Sequence, residues 1–217
     1  MQNLSIIFAG IIGDFLILLG MAFIFSLLLN TLAKLSPGRY IIAVGLGFGI
    51  IAVGTLFSTL FITPNVWIDP YQVVVVSAAV FGGPWAAGIT ALLAGVGHLF
   101  GVEPPTMELV LDICSALILG ALYHRFWVIR GYPVRSRHFW VLGVALAVLN
   151  TAVLWITTWV NSGIPSIAFI DSGKVLAIGL VFYPLAVYLL CHFIFREFKR
   201  VEDEAALSDA NRQLVER

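Results

Sequence analysis

Charge is what this chain has least of. Asp, Glu, Lys and Arg make up 11% of its 217 residues, hydrophobic residues 60%. Mean hydropathy is +1.01. Such a composition excludes a soluble globular domain and a disordered chain, and leaves the polytopic membrane class. Cysteine is nearly missing too. Cys114 and Cys191 stand far apart inside apolar runs and in no ligand-spaced motif. Neither a disulfide framework nor a zinc site is implied, and both read as small core hydrophobes. There is no Gly-Gly-Asp-Glu-Phe cyclase signature, no kinase phospho-acceptor box and no nucleotide loop. The chain itself is therefore predicted to have no catalytic residue, no metal, no cofactor and no nucleic-acid partner. Residues Met1 to Ser5 contain no basic residue, and the apolar run after them is too long for a signal-peptide core.

What is present is five apolar runs long enough to cross about 30 Å of hydrocarbon as helices. They are roughly Ile6–Leu32, Tyr40–Ile62, Leu109–Ile129, Phe139–Val160 and Val175–Phe195. Two shorter runs, Val73–Phe81 and Trp85–Phe100, lie between the second and third and are joined by Gly82-Gly83-Pro84. This pair is either a re-entrant hairpin or two short, tilted spans, because irregular backbone at that depth needs protein or a watery cavity around it. The predicted fold class is an all-α polytopic membrane protein of five long helices plus this short pair.

Basic residues set the predicted orientation. Lys34 and Arg39 follow span one; Arg125, Arg130, Arg135 and Arg137 follow the third long span; Arg196, Lys199, Arg200, Arg212 and Arg217 follow the last. Eleven of the 12 basic residues thus share one side, leaving only Lys174. Cytoplasmic loops are the Lys/Arg-rich ones. The reading is a bacterial inner-membrane protein with its N-terminus outside and its C-terminus in the cytoplasm. Residues 1–196 form the membrane domain. Residues 197–217 form a charged helical tail with no Gly or Pro, expected to lead to an output domain.

The block from Ile68 to Arg125 carries a resemblance. Its parts are Asp69-Pro-Tyr-Gln-Val-Val-Val-Val, Phe81-Gly-Gly-Pro-Trp-Ala-Ala-Gly, the run to His98-Leu-Phe-Gly, and Ala116-Leu-Ile-Leu-Gly-Ala-Leu-Tyr-His-Arg. This block resembles the LytS/YhcK-type five-transmembrane receptor domain, the membrane sensor of bacterial diguanylate cyclases and histidine kinases. The Gly-Gly-Pro turn also recurs in the substrate-binding subunits of energy-coupling-factor vitamin transporters, which are similar to that family in fold. The resemblance implies a receptor that binds an extracytoplasmic small molecule. Members often carry Arg shortly after the opening Asp and at the end of the second short run. Here Pro70-Tyr71-Gln72 and His98 stand there. Arg is the natural bidentate holder of a carboxylate. Its replacement, with acids nearby, points to a neutral or cationic ligand, a metal ion or a proton as the signal.

Candidate ligand-binding residues cluster on the outer side. Glu108, Asp112 and Ser115 follow an i, i+4, i+7 pattern and share one helical face. They read either as a ligand face or as a solvated helix start favoured by the positive helix end. Asp69, Tyr71 and Gln72 open the block at the outer mouth, where Asp69 is alternatively a cap before Pro70. His98 reads as a ligand contact, a proton sensor or an interfacial histidine. Asp14 lies inside span one, where a carboxylate faces the bundle interior. Trp155 and Trp159, i and i+4, read as an aromatic wall or as an interfacial belt. Gly45 and Gly49 give a small-xxx-small spacing that marks close helix packing.

Transmission residues follow from the last span. Asp171 and Lys174 mark its outer end, and Leu207, Asn211 and Leu214 suggest a short parallel coiled coil in the tail. The function expected is a homodimeric ligand-sensing membrane domain that signals through the last helix, with a cyclase output favoured over a kinase. The rival is a solute-binding transporter subunit.

Overall fold

The computed structural model describes residues 4–32, 34–56, 60–63, 66–68, 70–100, 107–129, 136–163 and 165–215. The elements are α1 (Leu4–Leu32), α2 (Pro37–Thr55), a hairpin of β1 (Leu60–Thr63) and β2 (Val66–Ile68), α3 (Tyr71–Phe100), α4 (Met107–Tyr123), α5 (Ser136–Ser162) and α6 (Pro165–Val215). A π-helical turn, His124–Val128, continues α4. By length and composition five helices are apolar enough to cross a membrane: Pro37–Thr55, Tyr71–Phe100, Met107–Phe126, Arg137–Asn161 and Ser172–Val201, of which the second is folded back on itself and does not cross as one rod. The apolar stretch Phe15–Leu28 of α1 is shorter. Large apolar side chains, among them Leu16, Leu27, Ile50, Leu92 and Val181, are more than 60% exposed. On a multi-pass membrane protein such a surface faces lipid.

The 30 residues of α3 are not one rod. The rings of Tyr71 and His98 lie 5.3 Å apart, whereas a straight helix would separate these positions by about 40 Å. The chain therefore folds back at Gly83, whose φ of 76° and ψ of −175° are non-helical, and Pro84 starts the return. The Gly-Gly-Pro hairpin expected from the sequence is present, with arms over residues 71–82 and 84–100. At about 1.5 Å per residue they reach about 18 and 25 Å, each short of the hydrocarbon thickness.

The first arm is the centre of the bundle. Every residue from Tyr71 to Val80 is buried, with Val73, Val74, Val75 and Val76 at 0% exposure. A helix apolar all round belongs inside. Its Val, Ala and Ser side chains let neighbours approach on all sides. Ser77 Oγ and Cys191 Sγ of α6 are 3.4 Å apart, and Gly120 of α4 lies against Val76 and Ala79. The second arm runs alongside α2. A Cβ added to Gly45 would meet Ile89 Cβ at 2.8 Å, and one added to Gly49 would overlap Leu93. Thr90 Oγ1 donates to Gly45 O at 3.1 Å. The small-residue pair seen in the sequence is thus a helix-packing seam.

One boundary differs from the sequence reading. The second span ends at Thr55, not Ile62, because Leu60–Thr63 pairs antiparallel with Val66–Ile68. This all-α fold therefore carries one short β-hairpin. Phe61, Ile62, Thr63, Val66, Trp67 and Ile68 are β-branched or aromatic, which suits strands better than a helix end. The last span, Ser172–Val201, lies within a longer helix than its apolar run. α6 starts at Pro165 and runs 51 residues without a break through the charged tail.

These contacts order the bundle. Tyr71, His98 and the start of α4 share one end. The hairpin tip shares the other with Tyr40, His124 and Phe198, beside Arg39, Arg125, Arg137 and Arg196; this is the basic end.

Candidate functional site

The end opposite the basic one gathers most of the described candidates. Tyr71 is 1% exposed and meets His98 edge to face, at an interplanar angle of 81°. Three residues before His98, Gly95 faces Ile113 of α4, the neighbour of Asp112. Asp112 is 7% exposed and is the one charged side chain that is buried among the described residues. Asn150 Nδ2 of α5 donates to its Oδ1 at 3.4 Å. Such a buried carboxylate is costly in a membrane interior and marks a site by default.

Gln72 belongs to the same end. It lies one turn from Val76, on the face of the first arm that packs against Gly120 of α4. Helical side chains lean toward the helix N-terminus, which here is toward Asp112. Gln72 is 1% exposed, and its Oε1 meets no hydrogen-bond partner among the described residues. A buried polar atom left so is unusual.

The other candidates are placed as follows. Glu108 is half-buried in the first turn of α4. Ser115 Oγ donates to the backbone carbonyl of Asp112 at 2.9 Å, which ties it to its own helix. Trp155 and Trp159 stand 5.4 Å apart on the outside of α5, 37% and 45% exposed, the arrangement of an interfacial belt. Lys174 is exposed on α6 and Leu207 is 65% exposed on the tail. Asp14 lies on α1, and Asp171, Asn211 and Leu214 on α6, with their side chains outside the described set; Asp69 lies outside the described residues altogether. No group of three His, Cys, Asp or Glu that could hold a metal comes together among the described residues.

Sequence reasoning missed Asn150, the partner of Asp112. Its signal was available: a single amide inside the apolar run of α5. It also missed the basic-end cluster of Tyr40, Phe48, Phe81 and Phe198, whose aromatic character is unremarkable in an apolar chain.

Comparison with known proteins finds no family model, no curated protein and no solved structure that matches the chain.

Proposed function

We propose that this chain is the membrane-embedded sensing part of a bacterial signal-transduction receptor. An extracytoplasmic small molecule binds at the end holding Tyr71, Gln72, His98 and Asp112. The last helix carries the change to a cytoplasmic output, of which a diguanylate cyclase is the favoured type. The observation that carries this reading is α6: one helix of 51 residues, about 76 Å long at the α-helical rise, against a hydrocarbon core of about 30 Å. It begins at the site end, crosses the bundle and continues 17 residues past Phe198 at the basic end, about 25 Å as helix. Under the positive-inside rule the basic end is cytoplasmic, so the tail reaches the cytoplasm and the site faces out. The tail is built to stay helical: Arg200 bridges Glu197 at 3.1 Å and Glu204 at 3.5 Å, supports spaced one turn apart.

A ligand acts only through unequal affinity for two states. In this reading the two states differ in how the site end packs, and α6 is the element they share. The test is thermal-shift screening of the purified chain against amines, amino acids, carboxylates and divalent metals, with Asp112→Ala and His98→Ala as controls. A stabilising compound whose effect both variants abolish supports the reading. Stabilisation by no compound, together with a monomer in detergent, overturns it.

A further inference from the structure

The sensing reading leaves open how the site end reaches the tail. Two routes lie in the structure. One is α6 itself, which holds Pro184 within its continuous helix where Gly143 of α5 packs directly on it. The other is the first arm of α3, and the observations favour it.

We propose that the first arm of α3 is the coupling rod, and that the stack of Phe81 on Phe198 is the joint through which it moves the tail. The inference rests on the sensing reading above. Phe81 is the last residue of the arm before the Gly82-Gly83 turn. Its ring lies parallel to Phe198 of α6, with centroids 5.8 Å apart and planes at 4°. On the α2 side it stacks on Phe48 at 6.3 Å and 13°. Its carbonyl accepts a hydrogen bond from Tyr40 Oη at 3.3 Å, and the Tyr40 ring meets Phe198 edge-on at 6.3 Å. The hairpin tip is therefore held by three rings and a hydrogen bond, one ring of which belongs to the tail helix.

Position makes this more than packing. Phe198 lies two residues after Arg196, within the Glu197–Arg200–Glu204 ladder at the root of the charged extension. The other end of the same arm is Tyr71, against His98. Between them every residue to Val80 is buried. Interiors at crystal-like density transmit a displacement instead of absorbing it, so an arm pushed at Tyr71 cannot move without moving Phe81. The tip is also where the backbone can give. Gly83 has a non-helical conformation, and it faces His124, the first residue of the π-helical turn. Single π turns are frequent at functional sites. Two irregular segments thus meet at the joint, while the arm between site and joint is regular.

The experiment needs no ligand. Amide hydrogen exchange is read over tail residues 199–210 of the full chain in nanodiscs, with His98→Ala as the perturbation at the far end. Couplings carried through packed side chains change equilibria by about twofold to thirtyfold, so His98→Ala is expected to change tail exchange at least about twofold. The change disappears in the Phe198→Ala background. Gly88→Ala, on the second arm with open space around it, leaves tail exchange as in the parent. An unchanged tail in His98→Ala, or a full change that survives Phe198→Ala, overturns the proposal; the second outcome assigns transmission to α6 and Pro184. Should Phe198→Ala fail to fold, Tyr40→Phe, which removes one oxygen from the joint, is read by the same two outcomes. A chain that a compound stabilises but whose tail ignores His98→Ala remains a sensor without this joint. A tail that responds through Phe198 in a chain no compound stabilises keeps the joint and discards the ligand.

Discussion

Replacing Gly83 by Ala tests the hairpin at the point where its geometry is most demanding. With φ at 76° and ψ at −175°, Gly83 occupies a region that is essentially closed to residues with a Cβ. Forcing one there costs about 1–3 kcal/mol. The added methyl also meets a neighbour: its Cβ would lie 3.2 Å from His124 Nε2 and 3.4 Å from His124 Cε1. Contacts that tight make the imidazole shift by a few tenths of an ångström, an overpacking cost of about 1 kcal/mol. The expected loss is thus about 2–4 kcal/mol, measured by reversible unfolding in mixed micelles. Gly88→Ala is the control, since it lies in regular helix with nothing within 4 Å of an added Cβ. There, removing glycine's extra freedom makes the change neutral or stabilising by up to about 1 kcal/mol. The double variant Gly83→Ala, His124→Ala separates the two causes. It adds its own loss of packing at position 124, so the comparison is with His124→Ala alone: the extra loss from Gly83→Ala should shrink toward the backbone part. A Gly83→Ala variant as stable as the parent refutes the turn geometry, and with it the claim that Tyr71 and His98 are brought together by a fold-back.

Gly49→Leu should lose about 1–3 kcal/mol or fail to express, because Leu93 occupies the space a side chain would need; normal stability would mean that α2 and the second arm are not in contact. Asn150→Leu removes the donor to Asp112 Oδ1 and should cost about 1–3 kcal/mol at neutral pH. Adding Asp112→Leu should recover part of that loss, since replacing both partners costs less than stranding one; a double variant that is additively worse would break the pairing. Cys191 is buried as its apolar run suggests, whereas Cys114, read from the sequence as a core residue too, is exposed on α4. An apolar thiol reagent in detergent should therefore modify Cys114 first and Cys191 only on unfolding, and equal rates at the two thiols would contradict the placement of α6.

Parts of this architecture are readable directly from residue type. Gly82-Gly83-Pro84 between two apolar runs marks a fold-back, because glycine permits the positive φ and proline starts the returning helix. The i, i+4 spacing of Gly45 and Gly49 marks a seam, because only a missing Cβ lets two backbones approach so closely. The Asp112 site is half legible: a carboxylate in an apolar run announces itself, but its partner Asn150 is one neutral amide on another helix, and nothing local ties the two. The β-hairpin escaped because Leu60–Thr63 continues the hydropathy of α2 without a drop. Strand and helix ends cannot be told apart by apolarity alone.

The Phe81–Phe198 stack was illegible for a different reason. In a soluble protein, burial and hydropathy rise together, and a polar face shows which side of a helix looks outward. Here both the lipid-facing and the bundle-facing sides are apolar, so hydropathy does not rank the helices by depth. Side-chain size does. The buried first arm reads Val-Val-Val-Val-Ser-Ala-Ala-Val, small residues that pack on every side. The exposed positions of α1 include Leu16, Phe23, Ile24 and Leu27, large residues suited to lipid. Lipid gives no hydrophobic advantage to helix association, so close approach of small residues must supply it. On that ground the central element of this bundle is the segment with the smallest side chains, and the large rings at its two ends, Tyr71 and Phe81, are the exceptions. Phe81 interrupts the small-residue run just before the turn and is matched by a second large ring on α6. The two positions where size breaks the pattern are those where the arm touches His98 and where it touches the tail.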